Sequence, residues 1–217
     1  MPSLEPDLYR QRLAGKSTAE IFTPIYEKKL WGGRLTRGYH SGSGSRDPEL
    51  ILPYVSAIGR LLTELGHPSV VDLGCGDFEV GKRLVDHASS FIGCDIVRPV
   101  IEANRCKYPD IDFRVIDAVE DELPVADVIL VRQVLQHLSN DQIARILPKL
   151  KQFKVAVITE HLPNESFITN QDKSPGPDHR GVILTEPPFS FRAKTIQTIC
   201  EVREFSGIIR TTAFTFD

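Results

Sequence analysis

Five apolar runs of strand length recur through the middle of the chain: "SVVDLG" near residue 70, "FIGCD" near 92, "FRVID" near 114, "ADVILV" near 128 and "VAVITE" near 157. Each is largely apolar on both faces, and helical patterns lie between them. Strands that bury both faces and are joined by helices belong to a parallel sheet covered on either side. The helices declare themselves at their ends. "PELILPYVSAIGRLLTELG" has Asp47 and Pro48 as start signals and Gly66 as a stop. "SNDQIARILPKLKQF" opens with Ser139 and Gln142 at capping-box spacing, and Pro148 is expected to kink or shorten it. Ser17 to Trp31 reads as a short amphipathic helix interrupted near Pro24.

From Thr195 the pattern changes. "TIQTICEVREFSGIIRTTAFTF" is rich in β-branched and aromatic residues, and "FSG" offers a turn, so a hairpin is expected. Two strands in succession without a helix pair antiparallel. The predicted fold is therefore α/β: a seven-stranded mixed sheet, mostly parallel, with a C-terminal antiparallel hairpin and helices on both faces. A chain of 217 residues suits one sizeable core. We expect a single globular domain, residues 48–217, preceded at 1–47 by a helix and the lid-like loop "WGGRLTRGYHSGSGSRD".

Composition excludes several classes. With 26 Lys and Arg against 29 Asp and Glu, the net charge of −3 gives no basic excess for nucleic acid or an anionic membrane, so neither partner is expected. The cysteines at 75, 94, 106 and 200 show no paired spacing, which suggests neither a zinc site nor a disulfide framework. "MPSLEPDLYRQRL" lacks the apolar segment of a signal peptide, and no run approaches the ~20 residues needed to span a bilayer. A cytoplasmic location is the expectation.

The first strand ends in "VVDLGCGDFEVG" and feeds a helical pattern. Tight glycine turns let a ligand approach the backbone, and ligands of open parallel sheets bind outside the carboxyl ends of the strands. A dinucleotide fingerprint requires G-x-G-x-x-G, and here Gly81 arrives two positions late. Asp72 at the strand end repels a pyrophosphate and attracts a ligand ammonium group. Asp95, 19 residues after Gly76, ends the next strand, where a carboxylate can accept both hydroxyls of a ribose. Asp117 and Ala118 end the third strand, where they could receive an adenine amino group and flank its ring. One such acid is more often a turn former or a helix cap; three in order make a nucleoside-shaped set.

Together with the hairpin, these stretches resemble the class I, seven-stranded S-adenosylmethionine-dependent methyltransferases over roughly Leu50 to Phe216. That family's E/D-x-G-x-G motif stands here as Asp72-Leu73-Gly74-Cys75-Gly76. The resemblance implies S-adenosyl-L-methionine as cofactor and S-adenosyl-L-homocysteine as product. It assigns cofactor contacts to Asp72, Gly74, Cys75, Gly76, Asp95, Ile96, Asp117 and Ala118, with Arg132 and Gln133 lining the cofactor and substrate sides. The N/D-P-P-Y/F motif of methyltransferases for DNA and glutamine amino groups is replaced by "VRQVLQHLSN", which disfavours that chemistry.

"QVLQHL" is similar to the segment of small-molecule and sugar O-methyltransferases in which a histidine faces the acceptor. His137 is then a candidate base, and Glu160 or His161, after the fifth strand, could orient or assist it. The plainer alternative has His137 capping the helix near Ser139, with Glu160 and His161 as ordinary polar strand-end residues. "NESFITNQDKSPGPDHRG" and "TEPPFSF" are candidate acceptor loops, and "IYEKKLWGG", "SGSGS" and "PPF" resemble stand-alone bacterial enzymes of sugar or secondary-metabolite modification. Glu160, Asp172 and Asp178 could offer oxygens to a divalent ion but form no recognisable motif, so no metal is expected. The leading expectation is O-methylation of a small-molecule or glycan hydroxyl. Alternatives are a protein or nucleic-acid acceptor, or a catalytically silent nucleoside-binding sensor or scaffold.

Overall fold

The structure, a computed structural model, describes residues 15–33, 38–164 and 166–217. Its elements run α1 (Thr18–Glu27), α2 (Pro48–Glu64), β1 (Ser69–Leu73), β2 (Ser90–Asp95), α3 (Arg98–Lys107), β3 (Asp112–Val115), β4 (Val128–Arg132), α4 (Asn140–Leu150), β5 (Val155–Pro163), β6 (Thr195–Glu204) and β7 (Gly207–Thr215). They form one seven-stranded sheet in the order β3-β2-β1-β4-β5-β7-β6. Strands β1 to β5 pair parallel, and β7 runs antiparallel to both β5 and β6. The expected mixed sheet is thus observed, with its strand order reversing between β1 and β4.

Burial explains the parallel portion. Along β1 and β4, Val71 and Ile129 join one core with Phe22 of α1, Val100 of α3 and Ile143 of α4. Their neighbours Val70 and Leu130 join a second core with Tyr54, Ile58 and Leu62 of α2. Successive side chains point to opposite faces, so strands buried on both sides need the continuous apolar runs seen in the sequence.

Three local expectations differ from the structure. After β1 there is no α-helix, only single 3-10 turns at Gly81–Arg83 and Val85–His87. Phe78, fully buried with φ 60°, packs its ring against Phe91, Tyr108 and Phe113, and seating it breaks the helical register. Helix α1 stops at Glu27 rather than continuing to Trp31, because Lys28 caps it and Lys29 turns to φ 50°. Helix α4 ends at Leu150, two residues after Pro148 and short of Phe153, in keeping with the expected shortening: the proline offers no N–H to the carbonyl four residues back and crowds it. Strand β5 extends through Pro163, since β7 pairs with it from Val155↔Thr215 to Pro163↔Gly207. Among the described residues no helix is long and apolar enough to cross a membrane.

Candidate functional site

A cavity of about 280 Å³ lies at the carboxyl ends of the strands where their order reverses. One end is built from strand termini. Gly74 adopts φ 76°, and a Cβ there would come within 2.3 Å of Val134 Cγ2; Gly76, at φ 51°, would strike Ser41 Oγ at 2.2 Å. The amides of Gly74 and Cys75 both donate to Cys94 O, at 2.8 and 2.9 Å, which clamps the turn onto β2. Asp95 accepts from Gly76 N through Oδ2 and from Val97 N through Oδ1, both at 3.0 Å. A carboxylate oxygen has lone pairs to spare after one such bond, so a vicinal diol can still be received.

Asp72 and Arg132 face the same cavity. Burial pushes the Asp72 carboxyl up to about 7 against the opposing pull of Arg132. The Arg132 guanidinium lies 5.0 Å from the Tyr54 ring centroid and donates to Gly44 O at 2.7 Å. Its buried Nε has no partner among the described residues. One acid and one under-satisfied cation suit the ammonium and carboxylate of an amino-acid group. Asp117 turns its Oδ1 to Val119 N at 2.9 Å and lines the cavity with Ile96, Ile116 and Ala118. Cys75 and Gln133 line it too, whereas Gly76 shapes the turn without contributing to the wall. The residues present therefore fit an amino-acid nucleoside.

The strap over this end falls within the lid-like loop expected at 31–47, but sequence reasoning singled out none of the contacts that hold it. Arg46 pairs with Asp77 at 2.6 Å, Asp77 N donates to Ser41 Oγ at 2.9 Å, and Ser41 Oγ lies 3.2 Å from Tyr26 Oη. Residues 41–45 thus cross the glycine turn and line the cavity. Nothing in the spacing pairs Arg46 with Asp77. Residues 34–37 of the expected lid lie outside the described residues, as does the N-terminal stretch read for a signal peptide.

The opposite end is walled by Phe22, Tyr26 and Trp31 together with His137, His161 and His179. Trp31 Nε1 donates to Pro177 O at 3.3 Å, and its ring stands 5.2 Å from that of His137. His137 Nδ1 lies 3.2 Å from Gly176 O and 3.3 Å from Asp178 O. Carbonyls only accept, so Nδ1 carries the proton, and the Nε2 lone pair accepts from Gln136 Nε2 at 3.4 Å. Burial, reinforced by the Lys173 charge, lowers this imidazole to about 4. His137 is not a helix cap; Ser139 performs that task by accepting from Gln142 N.

Glu160 and His161 lie within β5 rather than after it, and they diverge. Glu160 does not line the cavity; it accepts from Leu135 N at 3.1 Å and Gln136 N at 3.0 Å, tying down the 3-10 turn Leu135–His137. Burial pushes its carboxyl up to about 8 despite those two donors. His161 does line the cavity, with its Nε2 2.9 Å from Glu204 Oε1 and its ring edge-on to His179 at 4.6 Å. Glu204, also in the wall, was not singled out by sequence, because acids beside hairpin turns are ordinarily solvated. Asp172 accepts from Asn140 N at 2.7 Å, and among the described residues no cluster could hold a metal ion. Asn170, buried at φ 56°, gathers the loop after β5: Nδ2 donates to Ile183 O and Pro187 O at 2.9 and 2.8 Å, and Oδ1 accepts from Ile183 N at 2.9 Å.

Residues 70–153 match the family described as methyltransferase domain. By sequence alone, no curated protein matches. Among solved structures, human N-acetylserotonin methyltransferase in complex with SAM is similar with a TM-score of 0.57 at 19% identity, over 94% of this chain and 61% of that one. This chain therefore spans under two thirds of that protein. Burkholderia thailandensis 1,6-didemethyltoxoflavin-N1-methyltransferase, solved with 1,6-didemethyltoxoflavin and S-adenosylhomocysteine, reaches 0.62 at 17% identity over 100% and 93%. Magnesium protoporphyrin IX methyltransferase from Synechocystis PCC 6803, with bound SAM, reaches 0.59 at 12% identity over the whole of both chains. The Asp72–Gly76 turn, Asp95 at the end of β2, Asp117 just beyond β3 and the strand order agree with these matches: residues 70–153 match a methyltransferase domain, and the chain has the fold of the class I S-adenosylmethionine-dependent methyltransferases.

Proposed function

We propose that the protein transfers a methyl group from S-adenosylmethionine to a hydroxyl of a small molecule held against Trp31 and the histidines. The observation that carries this reading is one continuous cavity joining the Asp72, Asp95 and Asp117 set to three imidazoles and a wall of aromatic rings. The relatives' names support an acceptor of small-molecule size: N-acetylserotonin, 1,6-didemethyltoxoflavin and magnesium protoporphyrin IX.

When bound, S-adenosylmethionine supplies an electrophilic methyl group on a sulfonium centre. This chain's residues do the rest. Asp95 receives the ribose hydroxyls, Asp72 the ammonium group, and Arg132 the carboxylate through its spare donor. Ile96, Ile116 and Ala118 offer the base an apolar slot. Helix α1 and the 41–46 strap serve as the lid of the 48–217 domain and exclude water from the reacting pair. A hydroxyl becomes a competent nucleophile as it gives up its proton, and a neutral imidazole with a free lone pair is suited to take it.

Calorimetric titration of the purified protein with S-adenosylhomocysteine tests the cofactor half, with one-to-one binding expected at roughly micromolar strength. Methyl transfer to a panel of hydroxylated aromatics and sugars then tests the acceptor half. A folded sample that binds no S-adenosylhomocysteine would sink the reading.

A further inference from the structure

Of the three histidines that line the acceptor end, His137 and His161 differ in their partners. His137 spends its Nδ1 proton on two backbone carbonyls, which are neutral dipoles. His161 instead meets a carboxylate, Glu204, which stands at the end of β6 and reaches it across β7, the strand that lies between β6 and β5. At neutral pH a carboxylate only accepts, so the 2.9 Å contact requires the proton on His161 Nε2. Ser206 holds the carboxylate in turn: its hydroxyl donates to Glu204 Oε1 at 2.8 Å and lies 3.2 Å from His161 Nε2. The other ring nitrogen, Nδ1, is left with a lone pair and is buried without a partner among the described residues. Buried polar atoms normally have a partner, and a vacant one in a cavity wall marks a place for a ligand's donor.

The chain is shaped to admit this ring. A Cβ at Gly207 would lie 2.5 Å from His161 Nε2 and 2.1 Å from Leu162 O, so only glycine at the start of β7 leaves room. From the other side Gln136 Oε1 accepts from His161 N at 2.9 Å.

We propose that Glu204 is the positioning residue of a His161–Glu204 pair, in which His161 Nδ1 is the catalytic base for the acceptor hydroxyl and His137 contributes to the acceptor wall. The inference rests on the hydroxyl-methylation reading above and deepens it. In the step, the hydroxyl proton passes to Nδ1 as the oxygen's electron pair forms the new C–O bond. The electron pair of the broken C–S bond stays on sulfur, leaving neutral S-adenosylhomocysteine. The imidazolium so formed is stabilised by the Glu204 carboxylate, an arrangement His137 lacks. The titratable groups facing His161 are Glu204 from β6, which raises its proton affinity, and His179 from the loop after β5, which lowers it along with burial.

Imidazole nitrogen NMR of the ¹⁵N-histidine-labelled full chain reads the pair directly, without turnover. His161 is expected to show a protonated Nε2 and an unprotonated Nδ1. In Glu204→Gln, His161 is expected to take up its proton at lower pH, and Glu204→Asp, which keeps the charge, should return the titration toward the wild type. S-adenosylhomocysteine affinity should stay within about twofold in both variants, since neither touches the cofactor end. With a hydroxylated aromatic acceptor, Glu204→Gln should lower kcat roughly tenfold or more at near-constant KM and shift the acid limb of the pH profile. A wild-type His161 protonated on Nδ1, or a titration indifferent to Glu204→Gln, would overturn the pair. Failure of the wild type to bind S-adenosylhomocysteine would instead overturn the cofactor reading beneath it, and the pair's catalytic role with it.

Discussion

The two ends of the cavity are built by different means. The nucleoside end takes its groups from the termini of β1, β2 and β3, in chain order between residues 72 and 118. The acceptor end draws on α1, the turn after β4, the middle of β5, the loop beyond it and the tip of the β6–β7 hairpin, from Phe22 to Glu204. Strand-end geometry therefore suffices to place the first set, whereas the second exists only once distant segments have docked. The two ends should accordingly respond separately to substitution.

The largest test is Asp95→Ala, which removes the ribose acceptor and the partner of Gly76 N and Val97 N. S-adenosylhomocysteine affinity should fall roughly 100-fold or more, while the His161 tautomer stays as it is; loss of both would break the separation. Glu160→Ala probes the seam between the ends, because it strands two buried amides beneath the His137 turn. A loss of about 2 kcal/mol or more in urea unfolding is expected.

Proton linkage should act on each end with a definite sign. Asp72 and Glu160 are raised to about 7 and about 8. A carboxyl raised on folding contributes its stability in full below its unfolded pKa, near 4, and loses it as pH rises through the folded value. The melting temperature of the free protein should thus decline between pH 5 and pH 8.5. The ligand's ammonium favours ionised Asp72, so S-adenosylhomocysteine binding should weaken as pH falls below 7, approaching tenfold per unit. A flat profile would remove Asp72 from the ammonium site.

Smaller effects sharpen the contrast. Trp31→Ala should raise the acceptor KM about tenfold and leave S-adenosylhomocysteine affinity within about twofold. Arg46→Ala, which opens the strap at Asp77, should speed S-adenosylhomocysteine release a few-fold, read by stopped-flow.

What could be read in the sequence follows the same division. The parallel strands announced themselves because burial on both faces leaves continuous apolar runs, and Asp72, Asp95 and Asp117 stood out because each sits where such a run stops. Glu160 and His161 were read as lying beyond their strand because the length of β5 is set by its pairing with β7, some fifty residues later. Glu204 carries no local signal, and its significance lies in His161 across the sheet. Likewise Phe78 interrupts an expected helix for the sake of rings that arrive from β2, β3 and the end of α3.

Asn170 suggests how such a protein could be retargeted. Its one side-chain amide holds Ile183 and Pro187 together, so the segment after β5 keeps its course without a helix or strand of its own. The side chains that this segment turns toward the acceptor, such as Pro177 and His179, can then be exchanged without altering the path that carries them. For protein engineering, that makes the loop a cassette: with Asn170 kept, libraries at those positions would vary acceptor choice on an unchanged cofactor platform.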